Sequence, residues 1–203
     1  MSALDRFELQ GSLFAAAPPG LGSLSEGTRR HLDDCCWIDW FPGWLAGTDD
    51  LFARLVGDLP WAAHRRPMYD RVVDVPRLTA TLDLDGERVP DPVARAARRL
   101  ASHYGVAFRT VGFSLYRDGR DSVAWHGDRL RGAPRPAVVA LVALGAPRPF
   151  LIRPAGGGPS RRHDPGHGDL LVMGGSCQQH WEHSVPKVAR AEPRLSMVFR
   201  SEA

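Results

Sequence analysis

The residue types best suited to chemistry in this chain are histidine and aspartate separated by one residue. An imidazole and a carboxylate at this spacing can hold one metal ion, and a second histidine completes a set that leaves coordination positions open on non-heme iron(II). A chain with eight histidines contains such a pair easily by chance, so the pattern alone carries little weight. It occurs three times, as His31/Asp33, His126/Asp128 and His167/Asp169.

The rest of the sequence favours the second pair. His126 and Asp128 follow a β-rich run and lie well upstream of His183, which leaves room for the strands of a barrel between them. The third pair lies too close to His183 for the chain to cross a sheet and return, and we interpret Asp169 as a turn or strand-entry residue. The first pair lies in a polar stretch that we interpret as a helix end.

Two arginines near the C-terminus offer a binding site for an anion. Arg194 and Arg200 lie six residues apart in a run typical of a strand, so both side chains are predicted to face the same side. Two guanidinium groups that face a pocket suit a dicarboxylate. Chance also produces this spacing, because all but one of the 26 lysines and arginines are arginine. The position of the pair on the strand after His183 favours a functional role. The residues predicted to face the opposite side are Leu195, Met197 and Phe199.

Hydrophobic periodicity predicts helices in the first half of the chain and strands in the second. Residues 49–58 and 91–104 have helical spacing. In the second helix Asp91 is predicted to be the N-cap and Gly105 to end the helix, and the predicted apolar face consists of Val93, Ala96, Ala97, Leu100 and Tyr104. Short β-rich runs separated by Gly, Pro and Asp follow, which predicts an α+β chain with a β-sandwich or barrel body. We interpret residues 36–45 as a buried strand and corner, and residues 156–168 as a long flexible insertion between strands.

Composition limits the class of protein. The 203 residues are 43% hydrophobic and 24% charged, as in a globular domain, and a net charge of +3 argues only weakly for a polyanionic partner. A membrane span is not expected, because no apolar run reaches about 18 residues. No signal peptide and no obligate protein partner are evident. Three cysteines without a disulfide framework predict a reducing, cytoplasmic location.

Three motifs in the C-terminal half resemble the AlkB family of iron(II)- and 2-oxoglutarate-dependent dioxygenases. They are YRDG–x6–H-x-D, GDLLVMGG–x5–WEHSVPK and R-x5-R, in that order between Arg109 and Arg200. The resemblance implies a single domain over residues 1–203. Residues 106–203 would form a catalytic double-stranded β-helix (jelly roll), and residues 1–105 an N-terminal extension with supporting helices and a substrate lid.

The same resemblance implies a role for each site residue. His126, Asp128 and His183 would bind Fe(II), with 2-oxoglutarate and O2 as co-substrates. Arg194 would pair with the distal carboxylate of 2-oxoglutarate. The remaining co-substrate contacts implied are Tyr116, which would support the same carboxylate by hydrogen bonding, Arg200 near the metal-proximal carboxylate, and Ser114, where the family usually has asparagine.

The activity implied is oxidative removal of alkyl groups from nucleobases in DNA or RNA, acting on a single-stranded or flipped-out base. Two features depart from repair members of the family: Leu130 stands where they carry an acid, and residues 78–89 lack their aromatic side chains. Trp125, Tyr69 or a tryptophan of residues 37–44 is an alternative stacking surface. These departures motivate a second hypothesis, an oxygenase that acts on a protein or small metabolite. A third is a non-catalytic β-barrel binding module.

Overall fold

The structure is a computed structural model that describes residues 19–68, 71–86, 88–128 and 137–201. Within these ranges the chain forms three helices, α1 (Asp49–Asp58), α2 (Asp91–Tyr104) and α3 (Cys177–His180). The strands in the same ranges are β1 (Gly20–Leu21), β2 (Thr28–His31), β3 (Cys36–Phe41), β4 (Leu45–Ala46), β5 (Ala62–Met68), β6 (Arg71–Asp83), β7 (Thr110–Tyr116), β8 (Val123–His126), β9 (Val139–Gly145), β10 (Phe150–Pro154), β11 (Arg161–His163), β12 (Leu170–Gly175), β13 (Trp181–Val185) and β14 (Arg194–Arg200).

Two antiparallel sheets form the body of the protein. The large sheet has the order β2-β3-β12-β9-β14-β7-β6-β5, and the small sheet has the order β11-β10-β13-β8. One hydrophobic core lies between the two sheets, with Phe150 and Ile152 of the small sheet packed among Leu141 and Met173 of the large one. A second core lies where α1 and α2 pack on the other face of the large sheet. This two-sheet arrangement agrees with the predicted jelly-roll body.

Strand β14 connects the two cores. Its odd-numbered side chains Leu195, Met197 and Phe199 are buried with the helices, as their alternation predicts. Ser196 and Arg200 point to the opposite side and line a pocket between the sheets. The predicted division of this strand into an apolar face and a polar, arginine-bearing face is therefore confirmed.

Both predicted helices are present. Helix α2 ends at Gly105, whose φ of +65° is the left-handed conformation that glycine adopts without strain. Its start differs slightly from the prediction, because Asp91 is the first helical residue and Pro90 occupies the N-cap position. The buried side of α2 matches the predicted apolar face, with Val93 and Leu100 fully enclosed.

Three details of the chain's organisation differ from the sequence prediction. Besides β3, which is the predicted buried strand of residues 36–45, the first half supplies β2, β5 and β6 to the large sheet. His31 closes the edge strand β2 instead of ending a helix. Residues 156–168 are not wholly an insertion, because β11 within them pairs with β10. Strands β2 and β11 are short and polar, and they lack the alternating hydrophobic pattern that identifies a strand in sequence.

We expect Gly168→Ala to lower the free energy of unfolding by about 2–4 kcal/mol. Gly168 has a φ of +83°, and an added Cβ would overlap the backbone carbonyl oxygen of Leu45. Gly43 is the matched control, because its φ is +59° but an added Cβ meets nothing within 4 Å. Gly43→Ala should cost only the conformational strain, about 1 kcal/mol. Urea unfolding of both variants checks this, and equal losses would contradict it.

Candidate metal centre

Two histidines and an aspartate meet where the small sheet borders the pocket. His126 at the end of β8 is the direct register partner of His183 on β13, and their ring centroids lie 4.3 Å apart. Asp128 follows β8 after a single glycine. One ligand atom from each of the three residues lies within 4.8 Å of the other two. Of the three histidine–aspartate pairs in the sequence, this is the one that the structure joins to His183.

A hydrogen bond to the backbone of Ala124 fixes which ring nitrogen of His126 carries the proton. The Nδ1 atom lies 2.8 Å from the carbonyl oxygen of Ala124. A carbonyl oxygen only accepts hydrogen bonds, so Nδ1 carries the hydrogen and donates it. The Nε2 atom is then left with a free lone pair, which is the form in which an imidazole binds a metal.

One carboxylate oxygen of Asp128 accepts a hydrogen bond, and the other has no hydrogen-bond partner among the described residues. Its Oδ1 accepts a hydrogen bond of 3.1 Å from Nε of Arg200, and its backbone N–H donates to Oε1 of Gln178 at 3.0 Å. Its Oδ2 is buried and has no hydrogen-bond partner among the described residues. Burial alone would raise the pKa of Asp128, but Arg200 and the two histidines hold it below its ordinary value. A buried, charged oxygen without a partner fits a divalent cation.

His183 is kept neutral by its surroundings. The ring is stacked on Phe150, with centroids 5.2 Å apart and planes 20° apart. Burial lowers the pKa of His183 to about 4, against the opposing effect of the Asp128 carboxylate. The imidazole is therefore neutral near pH 7, so one of its two nitrogens is free to bind a metal without first losing a proton.

A buried arginine, Arg194, lies next to Tyr116, which lines the same pocket as the triad. Arg194 is the register partner of Tyr116 on β7, and its guanidinium carbon lies 5.7 Å from the tyrosine ring centroid. Arg194 is fully buried, and none of its three guanidinium nitrogens has a hydrogen-bond partner in the described part of the chain. Burial lowers the pKa of Arg194 to about 10, so the group still carries its charge at pH 7.

A buried arginine elsewhere in the fold provides a comparison. Arg148 donates hydrogen bonds of 2.9 Å to the backbone carbonyls of Asp118, Asp121 and Pro186. Arg148 therefore holds loops together, whereas Arg194 has no such role among the described residues. An unpartnered buried cation is unfavourable unless a ligand supplies the anion. A carboxylate of 2-oxoglutarate fits this requirement.

The pocket beside the triad of His126, Asp128 and His183 is lined by polar residues from several strands. Ser114 of β7 accepts a hydrogen bond of 3.3 Å from Nε of Arg77 on β6, and both residues line the pocket. Val139, Leu141, Met173 and Val198 form apolar walls. The predicted residues Ser114, Tyr116 and Arg200 all line this pocket. Arg194 lies beside Tyr116 and is not itself among the lining residues.

Sequence reasoning missed two residues here, Arg77 and Gln178. Arg77 stands in a Pro-Arg dipeptide, which is too short a pattern to mark a site residue in sequence. Gln178 gives no signal in the sequence, because its contact with Asp128 crosses 50 residues and depends on the turn of α3.

The other candidate residues lie away from the triad. His167 binds Thr48, and Asp169 accepts hydrogen bonds from the backbone of Gly43 and Gly166. Leu130 and Tyr69 lie outside the described residues. Trp125 neighbours His126 on β8, but its ring is covered by Arg153, with 4.0 Å from the guanidinium carbon to the ring centroid. The tryptophans of β3 and of the following turn, Trp37, Trp40 and Trp44, do not line the pocket either.

Comparison with known proteins gives consistent results. Residues 74–200 match the 2OG-Fe(II) oxygenase superfamily. The chain is 32% identical over 184 residues to the human alpha-ketoglutarate-dependent dioxygenase alkB homolog 3, covering 79% of this chain and 64% of that protein. It is 30% identical over 211 residues to the human DNA oxidative demethylase ALKBH2, covering 90% of this chain and 80% of that protein. The chain thus spans slightly less than two thirds of the first of these relatives.

Solved structures support the fold. The structure of OsALKBH1 superimposes with a TM-score of 0.58 at 14% identity, covering 86% of this chain and all of that chain. A 2OG-Fe(II) oxygenase family oxidoreductase from Burkholderia pseudomallei superimposes with a TM-score of 0.56 at 21% identity, covering 81% of this chain and 84% of that chain.

Among the residues that the structure describes, no helix has the length and apolar character needed to cross a membrane.

The donor set of His126, Asp128 and His183 and the unpartnered Arg194 fit the iron(II) and 2-oxoglutarate of the matched superfamily. The sequence match over most of the chain and the shared fold lead to one assignment: the chain belongs to the AlkB family of the 2OG-Fe(II) oxygenase superfamily.

Proposed function

We propose that this protein is an Fe(II)- and 2-oxoglutarate-dependent dioxygenase that removes alkyl groups from nucleobases in DNA or RNA. The observation that carries the proposal is the triad with a partnerless buried carboxylate oxygen, in the same region as a fully buried, partnerless guanidinium. One feature calls for a cation and the other for an anion. An iron ion that binds a dicarboxylate satisfies both.

His126, Asp128 and His183 are the proposed iron ligands. When bound, iron with 2-oxoglutarate and O2 supplies the oxidation that hydroxylates the alkyl carbon on a base nitrogen. The chain's own residues prepare the ligands for this. Ala124 sets the tautomer of His126, and Arg200 neutralises part of the Asp128 charge and fixes its rotamer. Phe150 holds the ring of His183.

The proposed co-substrate site is formed by strands β7 and β14. Arg194 would pair with the carboxylate far from the metal, and its neighbour Tyr116 would support that carboxylate by a hydrogen bond. Ser114 and Arg77 offer polar contacts along the wall. Arg200 pairs with Asp128, so it would lie near the carboxylate of 2-oxoglutarate that binds beside the metal.

The names of the relatives support the proposed substrate, because one of them is called a DNA oxidative demethylase. A base inside a duplex does not reach a pocket between two sheets, so the substrate is proposed to be single-stranded or flipped out.

The large sheet takes strands from both halves of the chain, which supports one domain over residues 1–203. The cysteines are free thiols, which supports the proposed cytoplasmic location.

The proposal is tested by succinate formation with a panel of substrates. The purified protein is given Fe(II), 2-oxoglutarate, ascorbate and oligonucleotides that carry N1-methyladenine, N3-methylcytosine or ethenoadenine, in DNA and in RNA. At least one alkylated oligonucleotide should stimulate succinate formation above its unmodified counterpart. Stimulation by peptides or small metabolites alone would replace the nucleobase substrate with the second hypothesis. No 2-oxoglutarate binding or turnover under any condition would overturn the enzyme assignment.

We expect Gln178→Ala to weaken apparent iron affinity about 10-fold, because outer-shell partners of metal ligands typically contribute this much. Gln178 accepts the backbone N–H of Asp128 and so fixes the loop that carries this ligand. Gln179 is the matched control, since its side chain is exposed. The iron concentration for half-maximal 2-oxoglutarate turnover should rise in Gln178→Ala and stay unchanged in Gln179→Ala. An equal response of the two variants would remove Gln178 from the site.

A further inference from the structure

A second cluster of metal-binding residue types lies outside the proposed iron site. It consists of Asp33, Cys35, Cys36 and His180, and one ligand atom from each lies within 4.8 Å of all the others. Asp33 and Cys35 lie in the turn between β2 and β3, Cys36 is the first residue of β3, and His180 is the last residue of α3. The turn and the helix are 145 residues apart in sequence, so folding brings the four side chains together.

The distances within this cluster are close to those of a tetrahedral zinc site. Zn–S bonds of about 2.3 Å and Zn–N bonds of about 2.1 Å place neighbouring ligand atoms roughly 3.5–3.8 Å apart. Sγ of Cys35 lies 3.6 Å from Sγ of Cys36, 3.4 Å from Nδ1 of His180 and 3.3 Å from Oδ1 of Asp33. Sγ of Cys36 lies 4.0 Å from the same histidine nitrogen.

The chemistry of the four groups also selects the metal. Two thiols, an imidazole and a carboxylate favour Zn²⁺ over the oxygen-preferring Mg²⁺ and Ca²⁺. The carboxylate is already oriented, because its Oδ2 accepts a 2.6 Å hydrogen bond from Nε1 of Trp181 and its Oδ1 accepts the backbone N–H of Cys35 at 2.9 Å. Such support from outside the ligand set is typical of metal sites.

We propose that Asp33, Cys35, Cys36 and His180 bind a structural zinc ion. Four protein ligands leave no open position, which is the arrangement of structural and not catalytic zinc. The ion would fasten the β2–β3 turn at the edge of the large sheet to α3. Helix α3 also carries Gln178, which contacts Asp128, so the zinc would steady one side of the iron site. The inference does not rest on the proposed function.

Cobalt substitution tests this site without interference from the iron site. Co²⁺ can occupy both sites, but only the second contains sulfur, so only it gives thiolate-to-cobalt charge-transfer absorption in the near ultraviolet. The full-length protein, stripped of metal and titrated with Co²⁺, should develop this absorption to one equivalent per chain. It should be absent in Cys35→Ala/Cys36→Ala. Cys177→Ala is the matched control, because this buried thiol lies outside the cluster, and it should keep the absorption.

Zinc binding to the same variants provides the second measurement. The Asp128→Ala protein, whose iron site is disabled, should keep one equivalent of Zn²⁺ after desalting. The bound Zn²⁺ should raise the Tm of this protein. The double cysteine variant should lose both effects. A wild type that shows no thiolate absorption with Co²⁺ overturns the proposal, whether or not the cysteine variants fold. Zinc retention that is unchanged by Cys35→Ala/Cys36→Ala overturns it as well.

Discussion

Replacing Arg194 with methionine is expected to weaken 2-oxoglutarate binding about 100-fold while leaving the protein without co-substrate at least as stable as the wild type. Removing one partner of a buried charge pair costs about 2–5 kcal/mol of binding, which is roughly this factor or more. The folded protein should not lose stability, because none of the guanidinium nitrogens has a partner in the described chain. Methionine fills similar space and removes the cost of a buried charge.

Arg148→Met is the matched control for this prediction. Arg148 is equally buried but donates to three backbone carbonyls, so its loss should destabilise the fold by about 2–4 kcal/mol. Melting temperatures with and without 2-oxoglutarate and Mn²⁺ separate the two effects. The co-substrate should raise the Tm of the wild type and of Arg148→Met, but not that of Arg194→Met. If Arg194→Met keeps the co-substrate-dependent shift, Arg194 does not bind 2-oxoglutarate.

Replacing Asp128 with alanine should lower iron affinity and iron-dependent turnover by at least about 100-fold. Loss of an outer-shell partner typically costs 10- to 100-fold, and loss of a ligand costs more. The charged oxygen that the variant lacks is the buried Oδ2, which has no protein partner among the described residues. Fe(II) binding under anaerobic conditions and succinate formation with iron in excess measure the two effects.

Asp169→Ala is the control for this prediction, because Asp169 belongs to another histidine–aspartate pair of the same spacing. Its carboxylate accepts hydrogen bonds from the backbone of Gly43 and Gly166, far from the triad. The variant should lose stability but keep iron affinity. If Asp169→Ala loses iron binding and Asp128→Ala retains it, the choice between the pairs is wrong.

The sequence was informative where chemistry and periodicity coincide. Alternation along β14 separates Leu195, Met197 and Phe199 from the two arginines, and the structure has the same division. Distance along the chain favoured His126 as the histidine that meets His183, and the two are register partners. Each of these features depends on a single strand or on the pairing of two strands, so the spacing of residues along the sequence indicates it.

Features that depend on several distant turns could not be predicted. Asp33 was interpreted as part of a helix end, yet the turn after β2 places it against His180 and Trp181. The edge strand β2 has four exposed residues and therefore no hydrophobic alternation. Arg77 reaches the pocket only because β6 pairs with β7 at the register that puts Leu78 opposite Leu115. None of these contacts has a local signal in the sequence.

The most direct test of the central claim is the intact mass of an oligonucleotide with one N1-methyladenine or N3-methylcytosine. After incubation with the protein, Fe(II), 2-oxoglutarate and O2, the product should weigh less by one CH2 group. One succinate and one formaldehyde should form for each methyl group lost, and the Asp128→Ala protein should leave the mass unchanged. Unchanged masses for both oligonucleotides, in DNA and in RNA, while the wild type still converts 2-oxoglutarate to succinate, would contradict nucleobase dealkylation.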